Sequence, residues 1–188
     1  MMASDAPPLS ALEAREQLNK ALEKAWSRGS AESSPLALVV VGFDKPETAV
    51  GIGILERALR VHCARTHDVF LRRAHDEYVA VLPDTPPAGA RHVGEQIVDA
   101  MRAEDTDHTH RVSVGVAVSV PDEQQTPATL LRRAETALQA ARDNGGDRVT
   151  GGAAAGTSSP APPKTALAAL RELLPAKKKD PDLKRRTD

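Results

Sequence analysis

The chain has 188 residues, a formal net charge of −1, one cysteine and 2% aromatic residues. That length suits one domain with appendages around a single core. The near-zero charge creates no global field toward nucleic acid or an anionic membrane, and so few aromatics argue against a stacking platform for single-stranded nucleic acid. The lone Cys63 excludes an internal disulfide framework and reads as a small buried apolar residue in a reducing compartment. No apolar run approaches the roughly 20 residues of a spanning helix, and the start lacks a signal-peptide pattern, so a cytoplasmic location is expected.

Residues 1–8 read as a leader without packed structure. Residues 10–28 carry helical periodicity, with Leu12, Leu18, Leu22 and Trp26 near one stripe and Gly29 as the stop. The apolar run LALVVVGF at 36–43 predicts a strand buried on both faces. A helix is expected over 47–64, carrying Ile52, Ile54, Leu55, Leu59 and Val61. Strands over 69–72 and 77–82 are joined by a tight link at 73–76, a hairpin with Asp76 and Glu77 at its tip. Residues 87–101 predict a helix with Val93, Ile97 and Ala100 inward.

In the strand predicted over 111–120, Val112, Val114, Val116, Val118 and Val120 share one face. Ser113, Gly115, Ala117 and Ser119 share the other, where a helix has room to approach closely. Thr126-Pro127 caps a last helix that runs to about Asp143 and stops at Asn144-Gly145. The order α-β-α-β-β-α-β-α predicts an α+β fold, an antiparallel or mixed sheet flanked by helices, over residues 9–150. Residues 151–164 are small and Pro-rich and read as a linker. Within the remaining 165–188, residues 165–174 suit a short helix that needs something to pack on, followed by a solvated basic tail.

The chemistry concentrates around the hairpin. Arg65 and Asp68 stand about one turn apart, five residues before the tip. A guanidinium and a carboxylate held together can read a guanine, one donating to its O6/N7 edge and the other accepting from the opposite edge. The same pair also reads as an ordinary i, i+3 surface ion pair. Among the histidines, His108 and His110 lie in a polar loop beside Asp105 and Asp107. Without a third well-spaced ligand, a solvated loop is the better reading than a metal site.

The segments AHDEY–VAVLPDT, RVSVGVAV and LLRRAETALQAARDNGGDRV, with Arg65-x-x-Asp68 at its offset, resemble the GGDEF (diguanylate cyclase) family over about residues 9–149. The resemblance implies the ferredoxin-like core of nucleotidyl cyclases. It also implies a two-metal cyclisation site whose residues this chain does not reproduce. Gly42 stands where the family's strand-ending aspartate binds metal, and Asp44 matches a second, less critical aspartate. The signature tip is Ala74, His75, Asp76, Glu77 and Tyr78, with Ala74-His75 in place of two glycines. Ile52 replaces a guanine-reading aspartate. Arg142 aligns with a phosphate-clasping lysine, and Gly146 with the arginine after it. The turn that precedes the first helix in active members is missing.

What the resemblance retains is the family's product-binding site, Arg65 and Asp68, with Arg72 and Arg73 adding positive potential nearby. Gln96 stands where a further arginine, often from a neighbouring subunit, completes that site. The expectation is a protein without enzymatic activity, metal or cofactor that binds cyclic di-GMP and signals to a protein partner. A homodimer is compatible with this, and no DNA or RNA partner is expected. The alternatives are a scaffold domain that binds no nucleotide, or a GTP-binding regulator using Asp76, Glu77 and Arg142.

Overall fold

A computed structural model of the protein describes residues 11–154 except His75, Thr106 and His108. The predicted leader, the terminal helix and the basic tail lie outside the described residues. The elements are α1 (Ala11–Glu32), β1 (Leu36–Phe43), α2 (Ala49–His62), β2 (Val69–Arg72), β3 (Glu77–Pro83), α3 (Pro87–Glu104), β4 (Val112–Ser119), α4 (Pro127–Asp143) and β5 (Val149–Ala154). The strands form one mixed sheet in the order β2-β3-β1-β4-β5. All pairings are antiparallel except the parallel β4–β5 pair, which α4 connects as a crossover.

Strand alternation divides the core into two layers. Val39, Val41, Tyr78, Ala80, Val114 and Val116 pack with Leu55, Leu59, Ile97 and Met101 of α2 and α3. Leu38, Val40, Val79, Val81 and Ala117 pack with Leu18 and Leu22 of α1 and Leu130, Ala134 and Leu138 of α4. β1, central and covered on both faces, is buried along its whole length, as its uninterrupted apolar run predicts.

Three expectations need correction. α1 does not stop at Gly29; a Cβ there would lie 2.9 Å from Pro121 Cγ, so this glycine admits a neighbour and the helix continues to Glu32. The chain leaves at Ser33 (φ 49), with Ser34 N–H donating to Gly29 O, a Schellman closure. Leu12 and Val61 do not join the core and are exposed. The segment expected to be linker from Gly151 begins with a strand. Gly151 (φ +90) lies so close to β4 that a Cβ would meet Val116 O at 2.1 Å, so only glycine fits this bulged edge.

Cys63 is buried at the end of α2, and burial, then the neighbouring Asp68 charge, push its thiol up to about 12. Only about one thiol in 10,000 is then ionised at pH 8. Alkylation of the folded protein by iodoacetamide at that pH should run at least about 100-fold slower than in denaturant. Equal rates would show that α2 frays open at its C-terminus.

Candidate functional site

β2 is four residues long and sets the spacing of the whole region. One end leaves the Arg65–Asp68 turn and the other enters the acidic hairpin tip, roughly 10 Å away at strand rise. The turn is fastened by its own backbone. Asp68 Oδ2 accepts from Arg65 N–H at 3.1 Å, and Asp68 N–H donates to Arg65 O at 3.0 Å. Asp68 therefore holds the arginine's main chain, where the sequence suggested a side-chain ion pair. The exposed Arg65 side chain donates to Thr85 Oγ1 at 3.3 Å, and Thr85 is anchored on Pro83 O at 2.9 Å. Burial raises the Asp68 carboxyl above its ordinary value, against the lowering pull of the Arg65 N–H and of the Arg65 and His67 charges.

Arg72 and Arg73 are not brought to this turn. Arg72 lies on the α2 side of the sheet, 5.8 Å over the Tyr78 ring and 3.7 Å from Glu47. Burial, then a hydrogen bond from its OH to Glu56 at 3.0 Å, raises the Tyr78 phenol far above its ordinary value. Arg73 turns to the opposite side, paired with Glu135 and 3.6 Å from Glu77. Gln96 sits on α3, in the layer beneath the other face of the sheet from α1.

At the tip, Arg73 N–H donates to Glu77 O, Ala74 and Glu77 exchange backbone hydrogen bonds, and Phe43 N–H donates to Asp76 O, docking the hairpin beside the end of β1. The side chain at the centre of this region is Arg142 of α4. Its guanidinium donates to Phe43 O at 3.1 Å, Asp76 Oδ2 at 3.3 Å and Glu77 Oε1 at 3.4 Å. It occupies the space over Gly42, where a Cβ would stand 2.3 Å from Nη2. Asp44 is engaged elsewhere: Oδ1 accepts from Ser113 Oγ at 2.6 Å and Oδ2 from Asp147 N–H at 2.8 Å, tying β1 to the turn before β5.

Two structural carboxylates are not evident from the sequence. Asp147 is clamped by Arg102 and Arg111, fixing that turn from outside. Buried Asp105 organises the loop whose composition suggested solvation, accepting from Thr109 N, Thr109 Oγ1 and His110 N. Burial alone would raise the Asp105 carboxyl, but these hydrogen bonds hold it below its ordinary value. His110 packs its ring against Gly51. Among the described residues, no three His, Cys, Asp or Glu side chains are placed to hold a metal ion, and no helix is long and apolar enough to cross a membrane.

The fold has solved relatives. It is similar to the active GGEEF domain of a diguanylate cyclase from Vibrio cholerae (20% identity, TM-score 0.61, covering 72% of this chain and 92% of that one). It is also similar to the GGDEF domain of DgcB from Caulobacter crescentus in complex with c-di-GMP (16%, TM-score 0.57, 84% and 97%). A third is the diguanylate cyclase SiaD from Pseudomonas aeruginosa in complex with its activator SiaC (21%, TM-score 0.61, 75% and 58%). At these identities the likeness speaks for the fold alone. No curated protein sequence matches the chain. The family model described as "Diguanylate cyclase, GGDEF domain" matches residues 54–148. With the five-stranded sheet and the hairpin docked at the end of β1, that match places the chain in the GGDEF family.

Proposed function

We propose that this protein is a catalytically silent GGDEF domain that binds cyclic di-GMP at the Arg65–Asp68 turn and passes that state to a protein partner. The observation that carries the reading is the preformed turn. Its carboxylate fixes the backbone, so the guanidinium is presented outward without the ligand having to order the loop. Two similar GGDEF domains are described with this nucleotide, the DgcB domain and a microbial domain in a novel interaction mode, which supports the ligand class. SiaD with SiaC shows a diguanylate cyclase forming a complex with a protein regulator.

Silence is supported by the donor set at the tip. Two magnesium ions need several hard oxygen ligands in near-octahedral geometry. Here Gly42 offers no side chain, both Asp44 oxygens are hydrogen-bonded within the protein, and Asp76, Glu77 and Phe43 O converge on a guanidinium. These residues do not fit a two-metal centre. The same contacts argue against a GTP regulator that would use Asp76, Glu77 and Arg142, since the two carboxylates already share that guanidinium.

Calorimetric titration with cyclic di-GMP tests the reading. Micromolar or tighter binding is expected, weakened about 100-fold by Arg65→Ala, the worth of one or two charge-assisted hydrogen bonds. Asp68→Ala should weaken it comparably by releasing the turn. Absence of heat and of any thermal shift at saturating nucleotide would leave a scaffold domain instead.

A further inference from the structure

Beside the Arg65–Asp68 turn, between α1 and the outer strands, lies a cavity of about 410 Å³. This falls within the range of small-molecule sites. Its wall is the α1 stripe Gln17, Lys20, Lys24 and Arg28, spaced three or four residues apart and so on one helix face. Its floor is apolar, from Val69, Val81 and Pro83. Its rim is Thr66 and His67, the two residues between Arg65 and Asp68. Arg65 itself reaches Thr85, two residues beyond Pro83.

Among the described residues, no carboxylate lines this cavity. Arg28 is neutralised by Glu32 and by Asp84, each at 3.2 Å. Neither Lys20 nor Lys24 has a carboxylate partner among the described residues, and both are exposed. Like charges one turn apart cost a helix a few tenths of a kcal/mol; Glu16 and Glu23 offset this at Lys20, whereas no acid stands three or four residues from Lys24. By contrast, the larger groove between α1 and α4 is charge-balanced, with Arg15 and Arg73 against Glu23 and Glu135.

We infer that the α1 cavity is the second half of the nucleotide site, with Lys20 and Lys24 holding phosphate of the cyclic dinucleotide that Arg65 engages. An ammonium on a four-carbon stem serves as a phosphate point charge, and the apolar floor offers a surface for a base or ribose. Gln96 cannot supply this charge, because it carries none and lies in the other helical layer. The site then draws its cations from a single chain. This inference rests on the receptor reading and adds to it the residues that bind phosphate.

The test is calorimetry of the full chain with cyclic di-GMP at two salt concentrations. The variants are Lys20→Ala/Lys24→Ala, Arg65→Ala, and a charge-matched control, Arg57→Ala/Arg91→Ala, on α2 and α3 in the other helical layer. Both lysines are exposed helix positions where alanine is well tolerated, so folding is preserved. The lysine pair should weaken binding at least about tenfold and flatten its salt dependence, the control less than about threefold. If the lysine pair and its control bind alike while Arg65→Ala loses binding, the receptor reading stands and the α1 cavity is not part of the site. If the unaltered chain binds no nucleotide, both fall.

Discussion

Gly115→Ala is expected to lower the melting temperature by about 6–12 °C, the effect of about 3 kcal/mol in a chain of this size. Gly115 lies at the middle of β4, where α4 crosses the sheet. A Cβ there would stand 2.1 Å from Ala134 O, 2.2 Å from Leu138 N and 2.8 Å from Leu138 Cα. These are backbone atoms of a helix, with no rotamer to give way. Bringing the nearest pair past 3.0 Å moves α4 outward by about 1 Å, and that retreat opens the contacts of Leu130, Ala134 and Leu138 with the sheet. It also draws Arg142 off its three acceptors. Gly53→Ala on the exposed side of α2 is the matched control. A Cβ there meets nothing within 4 Å, so alanine should stabilise by about 0.5–1 kcal/mol through helix propensity. A melting temperature for Gly115→Ala within about 2 °C of the unaltered chain would mean that α4 does not sit on β4 as described.

The close approach of α4 is legible in the amino-acid sequence, because Ser113, Gly115, Ala117 and Ser119 alternate with valines. The helix cap at Thr126-Pro127 is equally plain, and its side chain accepts from Thr129 N–H as the residue type predicts. β1 and the hairpin are marked by unbroken apolar or β-branched runs between polar links. What the sequence hides is whatever depends on a distant partner. Gly151-Gly152 looks like linker composition until Val116 O is seen against it. Gly29 looks like a helix stop until Pro121 is seen to need its place. The basic stripe of α1 is visible as spacing, but only the fold sets it against the Thr66-His67 turn. Arg142 can be aligned as an anion-binding residue, whereas its acceptors Phe43 and Asp76 are 99 and 66 residues away in sequence.

That arginine supports the second large prediction. If its guanidinium stands where a metal ion would, removing it and placing a carboxylate at position 42 should turn the tip into a cation site. Arg142→Ala alone leaves Asp76, Glu77 and Phe43 O without their shared donor and should destabilise the fold modestly, since both ends of each ion pair are partly exposed. Gly42→Asp alone places a carboxylate against the guanidinium. That contact is with the far end of a flexible side chain, which can shift, so an extra ion pair forms and no metal binds. The double variant Gly42→Asp/Arg142→Ala assembles three carboxylates and a carbonyl with the Arg142 cation gone and Arg73 still 3.6 Å from Glu77. That is a hard-oxygen set suited to Mg²⁺ or Mn²⁺. Without metal it should be the least stable of the four proteins, because like charges converge. With about 10 mM Mn²⁺, some 100-fold above a dissociation constant of ~0.1 mM, it should regain about 2.7 kcal/mol, or roughly 5–10 °C. The unaltered chain, with its cation built in, should shift by less than about 1 °C. An equal manganese response in both proteins would show that Arg142 does not fill the cation's place, and the proposed catalytic silence would lose its main physical support.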